Sequence, residues 1–187
     1  MLRLTKLFSY ELAVSRLGEV VSTTLSFEST LAAGPEKVWA WITSFDGISK
    51  EMAPILQMST PKGVRDIASI SFEPGVLMFR SWISLGGILP IDFSDLTLLS
   101  LTPGVGFVEQ SRMGSMRLWR HERAICPVGS GCRVTDTLTI QPRFGGRLAV
   151  AFVRKFFTQR YNMLRKHLGV YSANNSPKSG TPENGAP

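Results

Sequence analysis

The chain has 187 residues, 43% of them hydrophobic and 19% charged, with 21 Lys and Arg against 14 Asp and Glu for a net charge of +7. That balance fits one globular domain with a single core, and two cysteines are too few for a disulfide framework. The longest charge-free run in the central part of the chain, 96–108, is broken by Pro103 and Gly104 and falls short of the roughly 20 residues a bilayer requires.

Residues 1–21 form an N-terminal extension of uncertain structure. Arg3 and Lys6 precede an apolar stretch, but Glu11, Arg16 and Glu19 break it and no clean small-residue cleavage site follows. The extension therefore reads as a short extra helix or an unstructured segment rather than a signal peptide. From 22 to 31, Leu25, Phe27 and Leu31 alternate with Ser26, Glu28 and Thr30, the pattern of a half-buried strand. Gly34-Pro35-Glu36 marks a helix start, with Pro at its first position and an acid in its first turn. Val38, Trp39, Ile42 and Phe45 give that helix an apolar side, Asp46-Gly47 interrupts it, and a second short helix runs through Glu51 to Pro54.

Strands follow at 55–60, 77–85, 95–102, 106–111, 116–126 and 132–141, whereas 64–72 shows no clear period. Gly86-Gly87, Pro103-Gly104 and Pro127-Val-Gly-Ser-Gly131 punctuate them, and short strands with tight connections indicate an antiparallel meander. The Gly86–Pro90 turn suits either a cavity-mouth loop or a plain hairpin. Cys126 and Cys132 flank the last turn and are expected as free thiols. The final element is a long helix over 145–168. Arg147, Arg154, Lys155, Asn162, Arg165 and Lys166 cluster on one side, and Phe152, Val153, Phe156, Phe157, Met163 and Leu164 spread over the rest. So wide an apolar arc predicts a helix gripped on more than one side. Residues 171–187 lack large apolar side chains beyond Tyr171 and read as a disordered tail.

The order is strand, two short helices, a run of strands and one long helix. It predicts an α+β domain over 22–170, with a curved antiparallel sheet of about six to seven strands wrapped around the C-terminal helix. Ala33-Gly34-Pro35-Glu36-Lys37-Val38-Trp39, Glu51-Met52-Ala53-Pro54, Arg80-Ser81-Trp82-Ile83, Trp119-Arg120-His121-Glu122-Arg123 with Asp136, and Phe156-Phe157-Thr158-Gln159-Arg160-Tyr161 stand in that order. Together they resemble the START-like (SRPBCC, helix-grip) superfamily, in its polyketide-cyclase or ligand-binding form, over about 22–168. The resemblance implies a deep apolar cavity between sheet and helix. Some members of the superfamily carry or sense lipids, sterols, polyketides or hormones, and others are cyclases, aromatases or hydrolases.

Three polar residues fall on faces that should be apolar. Asp136 sits in the row Val134, Asp136, Leu138, Ile140; His121 sits in Trp119, His121, Arg123, Ile125; and Arg160 lies in the apolar arc of the long helix. Each needs a partner, because an unpaired buried charge costs several kcal/mol. If 128–131 forms the loop, Pro127 faces Cys132 and Arg123 faces Asp136. A one-residue slip would set Glu122 against Asp136 and repel. Trp119 and His121 then share the face of Asp136. Three readings stay open. Arg123–Asp136 can be a sheet-stabilising pair beside a satisfied histidine. Alternatively His121, Asp136 and Arg160, with Glu109, can line the cavity and orient a ligand's polar group. The third is acid–base catalysis by His121 with a carboxylate. Phe79, Trp82, Phe107, Trp119, Phe152, Phe156 and Met163 are the candidate apolar lining, with ordinary core packing as the alternative for each.

The sequence contains no phosphate loop, nucleophile elbow, dinucleotide fingerprint or His-Glu-x-x-His pair. The expectation is therefore a protein that binds, transports or senses a hydrophobic small molecule or lipid, with no catalytic residue, metal or cofactor assigned. The alternatives are a cyclase- or aromatase-like enzyme using the same cavity, or a membrane-surface or partner-binding module using the basic helix face. Between Thr137 and Pro182 there is no acid, so peripheral contact with an anionic membrane is open. Nucleic acid is not expected as a partner, because the aromatics and the basic stripe lie on opposite sides of the helix. The expected location is cytoplasmic, and the oligomeric state is not legible.

Overall fold

The computed structural model describes residues 22–172. The N-terminal extension and residues 173–187 of the tail lie outside the described residues. In chain order the elements are β1 (Thr23–Leu31), α1 (Pro35–Thr43), α2 (Phe45–Met52), β2 (Leu56–Met58), a 3-10 turn (Ile67–Ser69), β3 (Leu77–Leu85), β4 (Leu89–Thr102), β5 (Gly106–Gln110), β6 (Arg112–Met113), β7 (Met116–Val128), β8 (Gly131–Pro142) and α3 (Gly146–Leu168).

The strands form one antiparallel sheet in the order β1-β8-β7-β5-β4-β3-β2, with the two-residue β6 paired to β4. It curls into a half-barrel against α3, an α+β architecture. Bulges between Leu98 and Ser100 in β4, and between Ile83 and Ser84 in β3, help to bend it. β4 begins at Leu89, six residues earlier than the alternation at Asp95 suggests. Pro90 lies opposite Ser84 beside a bulge, at the end of the β3–β4 hairpin where a missing N–H is tolerated.

Local chemistry sets the helix boundaries. Pro35 opens α1 and Ser44 caps α2, its Oγ accepting from the Gly47 N–H at 3.0 Å. Gly145, at φ 77°, makes the left-handed step that releases β8 into α3. Gly106, at φ 151°, brings β5 against the carbonyl of Arg123, where a Cβ would collide.

Period-two burial faces the sheet inward. In β1, Leu25, Phe27 and Leu31 are buried; in β8, Cys132, Val134, Asp136, Leu138 and Ile140 are buried. β7 and β8 pair with Pro127 opposite Cys132 and Arg123 opposite Asp136, the register expected from charge pairing. Cys126 and Cys132 are free.

α3 packs by one stripe, not by several sides. Val153, Phe156, Phe157, Arg160, Tyr161, Leu164 and Leu168 are buried at helical spacing, while Leu148 and Phe152 in the first turns are exposed. The surplus apolar residues that widen the arc therefore lie near the open end of the sheet. Phe157 stacks on Phe27 at 5.4 Å, and the Tyr161 hydroxyl donates to the Phe27 carbonyl at 3.0 Å, fixing the helix to β1. At the far end, the Ala33 N–H donates to the Leu168 carbonyl at 3.0 Å. Among the described residues, no helix is long and apolar enough to cross a membrane.

Candidate functional site

Between the curled sheet, the two short helices and the first half of α3 lies a cavity of about 460 Å3. Volumes of roughly 300–1,000 Å3 hold a drug-sized molecule. α1 and α2 contribute Ile42, Ile48 and Met52 to its wall, and β3 contributes Ile83. Leu96 and Leu98 of β4 with Met113 and Met116 form the middle of the wall, while Val153 and Phe156 come from α3. The wall is apolar because the parity of each strand presents these residues inward. Lining residues that are also solvent-exposed mark the mouth: Ile91 on β4, Phe144 before α3, and Phe152 on α3 are 47%, 68% and 41% exposed.

One side of this wall is polar. Arg123 grips Asp136 with both ends of its guanidinium, Nε to Oδ1 at 2.6 Å and Nη2 to Oδ2 at 2.7 Å. Its third nitrogen reaches Glu51 at 3.2 Å. Glu51 also accepts from Arg160 at 2.8 Å and from the indole N–H of Trp41 at 3.1 Å. His121 Nε2 lies 3.0 Å from Asp136 Oδ1, and its Nδ1 lies 3.6 Å from Glu109 Oε2. Glu109 in turn accepts a hydrogen bond from the Ser111 hydroxyl at 2.6 Å. Six ionisable side chains from α2, β5, β7, β8 and α3 thus form one continuous network. Glu51, Arg123 and Asp136 are almost wholly removed from water.

Such a network must balance, because each unpaired charge would cost several kcal/mol. Burial alone would raise the Asp136 pKa, yet the charges of Arg123 and His121 and their hydrogen bonds hold it far below the usual carboxylate range. Burial alone would lower that of His121. The charge of Asp136 and the hydrogen bond to it, with the Glu109 carboxylate close by, outweigh it and leave the imidazole's pKa raised. With His121 protonated, three cations (His121, Arg123, Arg160) meet three anions (Glu51, Glu109, Asp136). The sum is zero.

Of the residues singled out from the sequence, Phe107, Glu109, Trp119, His121, Phe152, Phe156 and Arg160 border the cavity. Four do not. Trp82 is 55% exposed on the outer face of β3, because its neighbour Ile83 takes the inward position and side chains alternate. Phe79 packs edge-on against Phe45 at 5.8 Å, part of the core rather than the wall. Met163 sits half-buried on α3, outside the buried stripe. Asp136 is wholly buried behind Arg123 and His121, so any effect it has on the cavity passes through them.

The sequence does not mark Glu51, which joins Arg123 to Arg160. Its signals are its place in the Glu51-Met52-Ala53-Pro54 stretch and its position beside the apolar stripe Phe45, Ile48, Met52 of α2, and neither points to a buried site residue. Asp92 is also unmarked; it borders the cavity and accepts from the Ser115 N–H and hydroxyl. It lies in the early part of β4 that the alternation does not reveal.

The family described as a domain of unknown function, DUF8410, matches residues 29–168, from within β1 to the last residue of α3 and so across the whole cavity. The chain belongs to this family. Solved structures share the fold of this chain. Protein CV1439 from Chromobacterium violaceum superposes with a TM-score of 0.61 at 14% identity, over 79% of this chain and 98% of that one. A START superfamily protein from Mycobacterium smegmatis gives 0.56 at 8% identity, over 78% and 96%. Ara h 8.0201 gives 0.55 at 9% identity, over 79% and 98%. At such identities the likeness is one of fold: this chain has the START-like helix grip. No curated protein sequence matches this chain.

Proposed function

We propose that this protein is a binding protein for a hydrophobic small molecule or lipid, held in the cavity between sheet and α3. The observation that carries this reading is the cavity itself: about 460 Å3, walled mostly by Ile, Leu, Met and Phe, with a few polar groups among them. An apolar interior left unfilled forfeits packing energy, so a space of this size is costly unless a guest occupies it. Fold likeness to a START superfamily protein is consistent with a cavity of this kind.

The cyclase-like alternative is less favoured by the geometry of His121. Its Nε2 faces Asp136 and its Nδ1 faces Glu109, so both ring nitrogens are turned toward the protein's own carboxylates and not toward a guest.

Ala149, on α3 at the cavity wall, offers a test that leaves the charge network intact. Titration with the neutral fluorophore N-phenyl-1-naphthylamine is expected to give saturable enhancement with the native protein. Ala149→Trp, which fills the space from the helix side, is expected to weaken it at least tenfold without lowering thermal stability. Equal binding by the filled variant would show that the fluorophore sits elsewhere and overturn the reading.

A further inference from the structure

The polar side of the cavity constrains the charge of whatever enters. We infer that the guest is an electrically neutral molecule bearing a hydroxyl group, which donates its hydrogen to Glu109. This rests on the cavity being a ligand site, as proposed above.

Three cationic groups border the cavity among the described residues: His121, Arg123 and Arg160. None is unpaired. Arg123 is gripped by Asp136 and Glu51, Arg160 by Glu51, and His121 by Asp136 with Glu109 nearby. A fatty-acid carboxylate placed here would find no cation to neutralise it without pulling one from an existing partner. It would also face Glu109 and Asp92, which border the same space. Desolvating an anion beside a second anion is the least favourable combination available. An ammonium guest has the opposite difficulty. The guanidinium groups of Arg123 and Arg160 border the same space, and a further cation beside them in a low-dielectric wall would be repelled.

Glu109 nonetheless has unused capacity. Its Oε1 accepts the Ser111 hydroxyl at 2.6 Å. Its Oε2 stands 3.6 Å from His121 Nδ1, within ion-pair range but long for a hydrogen bond. A carboxylate oxygen has room for about two donors. A guest hydroxyl supplies one without changing the charge of the site, and its carbon skeleton then lies along Met113, Leu98 and Phe156. Neutral, apolar and hydroxyl-bearing describes long-chain alcohols, sterols and phenols as a class.

Three probes of equal chain length separate the possibilities: 1-dodecanol below its solubility limit, and dodecanoate and dodecylamine below their micelle concentrations, all at pH 7.5, competing with N-phenyl-1-naphthylamine on the full chain. Dodecanol is expected to displace the fluorophore at least tenfold more effectively than either ion. Glu109→Gln is expected to weaken dodecanol several-fold, because a neutral amide oxygen is a poorer acceptor than a carboxylate, and to improve dodecanoate at least tenfold, because the repelling charge is gone and the amide N–H can donate to the guest. Dodecanoate or dodecylamine matching dodecanol on the native protein would overturn the inference, as would failure of all three to displace a bound fluorophore. Absence of fluorophore binding altogether would instead defeat the underlying ligand reading.

Discussion

A carboxylate with no solvent exposure, Asp136 persists as an anion because Arg123 grips both of its oxygens and His121 faces one of them. Replacing it by Asn keeps the shape and removes the charge, leaving Arg123 with Glu51 alone and His121 without its nearer anion. Breaking a buried pair in this way costs about 3–5 kcal/mol, so urea unfolding of Asp136→Asn should show a midpoint lowered accordingly, and an unchanged midpoint would contradict the pairing. His121 makes a second, pH-dependent prediction. Its pKa is raised in the folded protein by Asp136 of β8 and Glu109 of β5 despite burial and the opposing charge of Arg123. Its contribution to stability is therefore complete below the unfolded value of about 6.5 and is lost as pH rises through the raised folded value. The urea midpoint of the native protein should fall as pH rises above about 6.5, and that of His121→Gln should fall less. The register joining these residues was legible, since only one alignment of β7 on β8 sets Arg123 against Asp136. Glu51 was not. An acid beside Lys50 near the end of a short helix looks solvent-facing until the helix is docked over Arg123 and Arg160.

Among the elements, α3 shows most clearly what pattern conveys and what it conceals. Its length and position follow from the periodicity of 145–168, but the apolar arc is wider than the face it buries. Phe157 is fully buried between Phe27 and Phe156, whereas Leu148 is 80% exposed one turn before Phe152 at the cavity mouth. Truncating each to Ala should separate the two roles. Phe157→Ala is expected to cost about 3–5 kcal/mol, and Leu148→Ala to stay within about 0.5 kcal/mol, both read from urea unfolding; similar losses would mean that the first turn is packed as tightly as the middle. Strand parity has the same limit. Alternation identifies β3 as a strand, yet it does not say which of Trp82 and Ile83 faces inward, because both are apolar and the sheet covers one side only. The start of β4 is not legible, since Pro90 and the run Leu89–Asp92 give no alternation to follow.

At the scale of the molecule, a sheet of eight strands curls over one helix and leaves an apolar space that its own side chains do not fill. Element order and the helix-grip resemblance made that architecture readable. Volume was not readable, because whether Phe and Met fill a hollow or border it depends on curvature set by bulges at Leu98–Ser100 and Ile83–Ser84. The placement of a guest can be observed directly by NMR with methyl-labelled Ile and Met and unlabelled 1-dodecanol. Intermolecular NOEs are expected from the alkyl chain to Ile83, Met113 and Ile48, which line the cavity, and none to Ile140 in the closed core. Contacts confined to the exposed Ile88, or no contacts at concentrations that saturate fluorophore displacement, would contradict a guest held between sheet and helix.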